Sequence, residues 1–415
     1  MVIAPMVNTE VIKLKPLLAI LASVYTIQSL VSMFTLQGLP AVMRSEGVET
    51  SQIGLFYLAM LPWVAKFLWS PLIEYHRKQG KSFKNHTIII FGSQLVLTAA
   101  LIMLCNVGII EHQISLFFGV LFISLFSTFA DIATDGLAID QLKSSKRYLG
   151  NVMQVGGAYL GAAIGGGLFI YLTGVVEWRF ALISLAIFTL ILSLPTLMLL
   201  TQKQRAKTEH IRHIPSLKSA FSMPQVRLGL LLVAVSQLGT RGVLAMMMPF
   251  LIDKGIELES LGLLVAGGGV VTGLIGVALG GYLLKKIKAI KVLTIMLIAE
   301  VVIFSGYLSF ELEVVDLSTS ISALYVLNGI ITSAKFVSLY TLMMNLASGQ
   351  QAGVNFSLFQ SMDMFIAIVM AIVCGSIISI TGYPVHFLSM IALSLVAVCL
   401  VPVLIPDTKV PCPSK

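Results

Sequence analysis

Charge is scarce in this sequence. Lysine, arginine, aspartate and glutamate supply 11% of its 415 residues, against about 25% in a soluble domain, where both signs are spread over the surface. A chain so poor in charge cannot cover a water-facing exterior. With 57% apolar residues and a mean hydropathy of +0.96 it reads as an integral membrane protein. Cysteine is nearly absent, and the four present (Cys105, Cys374, Cys399, Cys412) show no C-x-x-C or Cys/His spacing, so neither a metal site nor a disulfide framework is indicated. The six histidines fall in loops or at helix ends, which leaves carboxylates to carry any proton movement. The glycine runs "GGAYLGAAIGGG" (156–167) and "GGGVVTGLIGVALGG" (267–281) lie within apolar stretches and lack a Gly-Lys-Ser/Thr ending, so ATP hydrolysis is not supported and helix packing is the better reading. Ser-His-Asp, His-Glu-x-x-His and paired-carboxylate hydrolase patterns are missing too. No enzyme activity and no cofactor are expected.

What the chain does have is long hydrophobic runs. Stretches of about 20 residues predict helices near 17–40, 52–73, 87–109, 114–139, 150–173, 178–200, 227–251, 260–284, 292–310, 318–345, 354–381 and 384–405. The first run is too long for a signal-peptide core and should remain as a span. The net charge of +8 does not point to nucleic acid, because the basic residues sit in short loops between spans. With the N-terminus inside, 21 of the 27 lysines and arginines fall on the inner side, while Arg44, Arg179 and Lys254 alone face outward. That bias places both termini in the cytoplasm.

The polar stretch 201–226 divides the chain into halves, 1–200 and 227–415. The halves echo each other: "GVETSQIGL" (47–55) matches "GIELESLGL" (255–263), and "LTG" ending at Gly174 matches "ITG" ending at Gly382, both at an offset of 208. A parallel six-helix repeat joined by a basic linker resembles the two halves of the major facilitator superfamily. The expected fold is therefore an all-α membrane protein with twelve transmembrane helices in two pseudo-symmetric six-helix bundles.

Three cations remain inside the spans: Lys66, Arg241 and Lys335. An unpaired lysine at mid-bilayer costs roughly 2.5–3.5 kcal/mol on insertion scales, so each should have a partner or border a watery cavity. Asp131 and Asp135 lie one turn apart on the fourth span, at a depth similar to Lys66 on the second. Lys66 is expected to pair with one or both, as a proton-sensitive latch or as a static ion pair. Lys335 lies within a turn of the repeat-equivalent of Asp131 and is expected to face the first-half carboxylates, with Asp363 as its nearer competitor. Arg241 has no evident carboxylate partner in sequence, which makes it the first candidate to hold an anionic solute, against a structural partner such as Glu300 or a backbone carbonyl. Glu300 is read as structural. Tyr25, Gln28, Ser32 and Gln37 on the first span, with Gln237 and Thr240 on the seventh, are candidate polar lining, though each alone is more often helix-packing glue.

The stretches "LPWVAKFLWSPLIE" (61–74), "DIATDGLAID" (131–140) and "GNVMQVGGAYLGAAIGGG" (150–167) together resemble the bacterial inner-membrane siderophore importers typified by the rhizobactin and pyochelin permeases, relatives of the muropeptide permease. The resemblance implies import of a ferric siderophore or similar anionic metal chelate without ATP. It carries over onto Trp63, Lys66, Trp69 and Pro71, onto Asp131, Asp135 and Gly136, and onto Gln154, Gly156 and Gly157. The chain departs from the pattern at Glu74-Tyr75-His76-Arg77, at Asp140, and at Ala158 and Ala162.

The expectation is thus a proton-coupled importer, monomeric in a bacterial inner membrane, whose partners are lipid and a small solute. Arg241, Gln237, Tyr25, Gln28 and Lys335 would bind the solute, and Lys66, Asp131, Asp135 and Asp363 would couple protons or gate. The competing readings are a muropeptide or other organic-anion permease, an exporter of the same fold, and a non-transporting membrane sensor.

Overall fold

The computed structural model describes residues 12–78, 83–109, 111–142, 147–202, 217–313, 320–347 and 352–404. Most of the linker, the tail with Cys412 and the extreme N-terminus lie outside them. No strand occurs among the described residues. In hydrocarbon a backbone must satisfy its own polar groups, and a single apolar run can do so only as a helix.

Among the described residues, twelve helices are long and apolar enough to cross a membrane. They are α1 (Leu14–Ser45), α2 (Thr50–Leu68), α3 (Lys84–Leu104), α4 (Gln113–Ala138), α5 (Met153–Val175) and α6 (Trp178–Thr201), then α7 (Pro224–Asp253), α8 (Leu258–Lys286), α9 (Ala289–Glu311), α10 (Ile321–Ala347), α11 (Asn355–Thr381) and α12 (Tyr383–Leu404). Each corresponds to one of the twelve expected runs. An even number of crossings returns the chain to the face from which it started, here called the terminal face.

The repeat is visible in the backbone. Gly47 after α1 and Gly255 after α7 both take a left-handed conformation, at φ 83° and 81°. Both close the same helix end: Gly47 N–H donates to Arg44 and Val48 N–H to Met43, as Gly255 donates to Ile252 and Ile256 to Leu251. Glycine suits this position because a left-handed residue with a Cβ is strained. The second sequence match is weaker in structure. Gly382 has φ 82°, whereas Gly174 is still helical and instead packs its α-carbon against Leu258 and Glu259 of α8.

Helices α1–α6 pack among themselves, as do α7–α12. Between the groups α2 lies on α11, α5 on α8, and the end of α1 on α7, which is the pattern a two-fold axis between halves produces. These lines run through the face opposite the termini and reach the membrane middle. There Thr50 Oγ1 donates to the Gly375 carbonyl at 3.0 Å and Ser51 N–H donates to Ser379 Oγ at 3.1 Å. Arg44 Nε meets Asp253 Oδ1 at 2.6 Å, and Tyr383 donates to the other Asp253 oxygen at 2.7 Å. Towards the terminal face, α4 makes no substantial packing with the second half among the described residues. Among the described residues the contacts between the halves are thus concentrated at the opposite face.

The glycine runs do pack helices. Gly157, Gly161 and Gly165 of α5 sit against the α1 backbone, and Gly167 sits against Ala266 of α8. At these crossings α1, α5 and α8 each loosen into a π-helical turn, at Phe34–Gly38, Ala163–Leu168 and Leu264–Gly268. Helix α2 is more broken. It tightens to 3₁₀ geometry at Tyr57–Met60, ahead of Pro62, which has no N–H to offer, and again at Lys66–Leu68.

Candidate functional site

Lys66 stands in the second 3₁₀ turn of α2, and its Nζ donates to Asp131 Oδ2 of α4 at 3.1 Å. The ammonium also lies 5.2 Å from the centre of the Trp63 ring. Trp69, one turn on, donates from its indole nitrogen to Thr128 Oγ1 at 3.1 Å, so the chain is tied to α4 both at the lysine and one turn beyond it. Asp135, a turn beyond Asp131, accepts from Tyr25 Oη of α1 at 2.9 Å. Three spans therefore meet at a cluster with one fixed cation and two carboxylates. Lys66 keeps 15% of its side-chain surface exposed and Asp131 7%, so the pair is not sealed. Gln28, on the α1 face below Tyr25, is buried with its Nε2 unpartnered among the described residues.

In the second half Arg241 of α7 grips Asp363 of α11 with two nitrogens. Nε donates to Oδ1 at 2.8 Å and Nη2 to Oδ2. Gln237, four residues earlier on the same face, donates to Oδ1 at 2.8 Å. Arg241 is 17% exposed, and its guanidinium lies 5.1 Å from the centre of the Phe336 ring. Tyr57 of α2 stands within electrostatic reach and donates to the Ala245 carbonyl at 3.1 Å, which brings the first half to the edge of this pair. Tyr340, a turn beyond Phe336, completes an aromatic wall near Asp363.

Lys335 of α10 points elsewhere. Its Nζ donates to Glu300 of α9 at 2.9 and 3.2 Å, to the Ser236 carbonyl of α7 at 2.7 Å and to Thr240 Oγ1. The Thr240 hydroxyl in turn reaches both Glu300 oxygens at 3.0 Å. Lys335 and Glu300 are both 0% exposed.

Three expectations need correction. Arg241 is not without a carboxylate, because Asp363 holds it. Lys335 faces neither Asp131 nor Asp363 but Glu300, so it is not placed as a solute ligand. Glu300 is not a partner for Arg241. The 208-residue offset explains the second error: it maps Lys335 onto Ser127, not Asp131, and Ser127 is itself fully buried. The repeat-equivalent of Asp131 is position 339, one turn beyond Lys335, and one turn of helix carries a side chain to a different neighbour. The expected pairing of Lys66 with the aspartates is present, through Asp131. Tyr25 and Gln237 do lie at the clusters, each bound to a carboxylate rather than lining open space.

Sequence reasoning missed Tyr57, Phe336 and Tyr340. The signal available for Phe336 and Tyr340 was their placement four apart on the helix that carries Lys335. Among the positions taken from the resemblance, Gly136 packs on the Arg77 guanidinium, Gly157 packs on Tyr25, Gly156 has open space beside it and Gln154 is exposed. The side chains of Pro71, Glu74, Tyr75 and Asp140 lie outside the described residues.

Comparison with known proteins agrees with this architecture. A family model described as Major Facilitator Superfamily matches residues 17–313 and 230–413. The anhydromuropeptide permease of Escherichia coli K12 is 26% identical over 369 residues, spanning 85% of this chain and 72% of that one. Among solved structures, a bacterial homolog of the human lysosomal transporter Spinster, in an inward-facing and unoccupied conformation, superposes with a TM-score of 0.69 at 13% identity, covering 94% and 96% of the two chains. The nucleoside transporter NupG, as a D323A mutant, gives a TM-score of 0.66 at 15% identity over 94% and 99%.

Proposed function

Since the chain belongs to the Major Facilitator Superfamily and is a secondary transporter of that fold, we propose that it imports a carboxylate-bearing organic solute with protons. The observation that carries this reading is the Arg241–Asp363 pair. The partly exposed Arg241 side chain, with Tyr57 of the first half nearby, already binds one carboxylate in the bidentate manner that favours arginine for this ligand. A solute carboxylate would take the place of Asp363 on Arg241. Asp363, then lacking its cation in a poorly solvated site, would take a proton to restore the charge balance. Substrate and proton would in this way travel together. The first-half cluster, with a carboxylate more than it has cations, offers a second place for a proton at Asp131 and Asp135.

The bias of lysine and arginine towards the terminal face orients both termini to the cytoplasm. On that orientation the packed opposite face would be periplasmic, in an inner membrane, and the clustering of contacts there supports an inward-facing reading. Residues 1–200 and 227–415 are the two moving bodies, 201–226 joins them, and one chain suffices. The relative named for anhydromuropeptide supports a sugar–peptide substrate. The aromatic groups Trp63, Phe336 and Tyr340 beside Lys66 and Arg241 suit stacking on sugar rings. A ferric siderophore is the second reading, supported by the motifs around Lys66, Asp131 and Gly157.

Proteoliposomes with an inward pH gradient test both, loaded outside with labelled anhydromuropeptide or with a labelled ferric siderophore. Saturable, gradient-driven uptake of one supports import and names the class. Efflux without uptake would replace this reading with an exporter, and silence towards both, with no pH-linked exchange of any organic anion, would favour the sensor.

A further inference from the structure

The sealed pair in the second half has no role in binding, because neither charge can reach the solute. Its contacts nevertheless fall on one specific part of α7. Lys335 Nζ donates to the Ser236 carbonyl and to the Thr240 hydroxyl, the two ends of a single helical turn. A carbonyl has two lone pairs, so Ser236 accepts this bond without giving up its helical one. Thr240 uses its one proton towards Glu300, which fixes the hydroxyl between a cation and an anion. Gln237 and Arg241 follow Ser236 and Thr240 by one residue each, about 100° further round the helix, and both meet Asp363. The turn that is clamped on its α9–α10 side is the turn that presents the guanidinium on its α11 side.

We infer that Lys335, Glu300 and Thr240 are positioning residues: they fix the rotation of α7 so that Gln237 and Arg241 are aimed at Asp363 and at the solute that replaces it. The inference rests on the reading of Arg241 as the solute's cation. Burying an ion pair is costly, and a well-packed apolar pair often serves stability as well or better. A clamp of defined direction gives the charges a use that apolar packing would not supply.

The test compares Thr240→Val with Thr240→Ser, which leave the ion pair in place and remove or keep the hydroxyl. The first readout needs no solute: the rate at which an arginine-selective dicarbonyl reagent modifies Arg241, followed by mass spectrometry of the peptide that contains it. The second is the KM and maximal rate of anhydromuropeptide uptake per folded transporter. Thr240→Val is expected to speed modification and raise KM by roughly fivefold each, the scale of one net hydrogen bond, with the maximal rate kept. Thr240→Ser is expected to match the parent. A purely structural role would lower the folded yield and leave both readouts unchanged in the protein that folds, and that result would overturn the inference. Wild-type uptake by Arg241→Ala would overturn the reading of the site instead, while the modification rate would still decide whether the clamp orients Arg241.

Discussion

Closure of the opposite face depends on backbone-to-backbone approach at α2 and α11, and one methyl group should disturb it measurably. A Cβ at Gly54 would stand 3.0 Å from the Ala371 carbonyl carbon and 3.1 Å from Ile372 Cα, and closer still to the Ala371 oxygen. These are main-chain atoms, so no side-chain rotation relieves the clash. Alanine is favoured over glycine within a helix by about 1 kcal/mol, so Gly54→Ala does not weaken α2 itself. Overpacking costs about 1–3 kcal/mol, and here the cost falls only on the conformation in which the halves touch. The ratio of closed to open at this face should therefore drop by about 5- to 150-fold. Spin labels at the exposed positions Glu46 and Glu257, one in each half, report the change in a cysteine-free background. Pulsed electron resonance should show a new population at longer distance. A distance distribution that overlays the parent's, in protein of unchanged helical content, would refute the reasoning.

Arg44→Ala removes an ion pair across the same face whose partners are 27% and 22% exposed. Such pairs are worth about 0–1 kcal/mol, so the same labels should register a smaller shift than with Gly54→Ala, and a larger one would contradict the ranking. Lys66→Met leaves Asp131 without its cation, and breaking a buried pair costs about 3–5 kcal/mol. The thermal midpoint in detergent should fall, and adding Asp131→Asn should recover part of the loss; no recovery would mean that the pair is not coupled. Asp131→Asn alone removes the carboxylate that Lys66 holds and leaves the first-half cluster with one cation and one carboxylate, Asp135, so the pH dependence of uptake should flatten. A profile identical to the parent's would make Lys66–Asp131 a static tie.

The sequence made the spans legible because hydrocarbon admits few alternatives: a charge-free run of about 20 residues either crosses or has no place to go. Lys66 and Asp131 could be matched for a similar reason. Both sit on helices running towards the terminal face, both lie at similar depth, and α2 and α4 are near neighbours in the chain. Arg241 and Asp363 defeat that method. Arg241 is 17 residues past the start of α7 and Asp363 is 8 past the start of α11, a mismatch of roughly 14 Å along straight axes. The two side chains meet all the same, and the way two helices lie across each other is not written in a hydropathy profile. Lys335 shows the other limit. Its depth was readable, but the rotation of α10 about its axis was not, and 100° per residue separates a cavity wall from a sealed seam. The partner of Glu300, which is Lys335, stays hidden for the same reason.

The account turns on Arg241 as the group that receives the solute's carboxylate. Counterflow of labelled anhydromuropeptide in proteoliposomes isolates that step from any driving gradient. The expected result is exchange by the parent protein, its abolition in Arg241→Ala, and a folded mutant with unaltered helical content. Exchange by Arg241→Ala at the parent's rate and affinity would contradict the account.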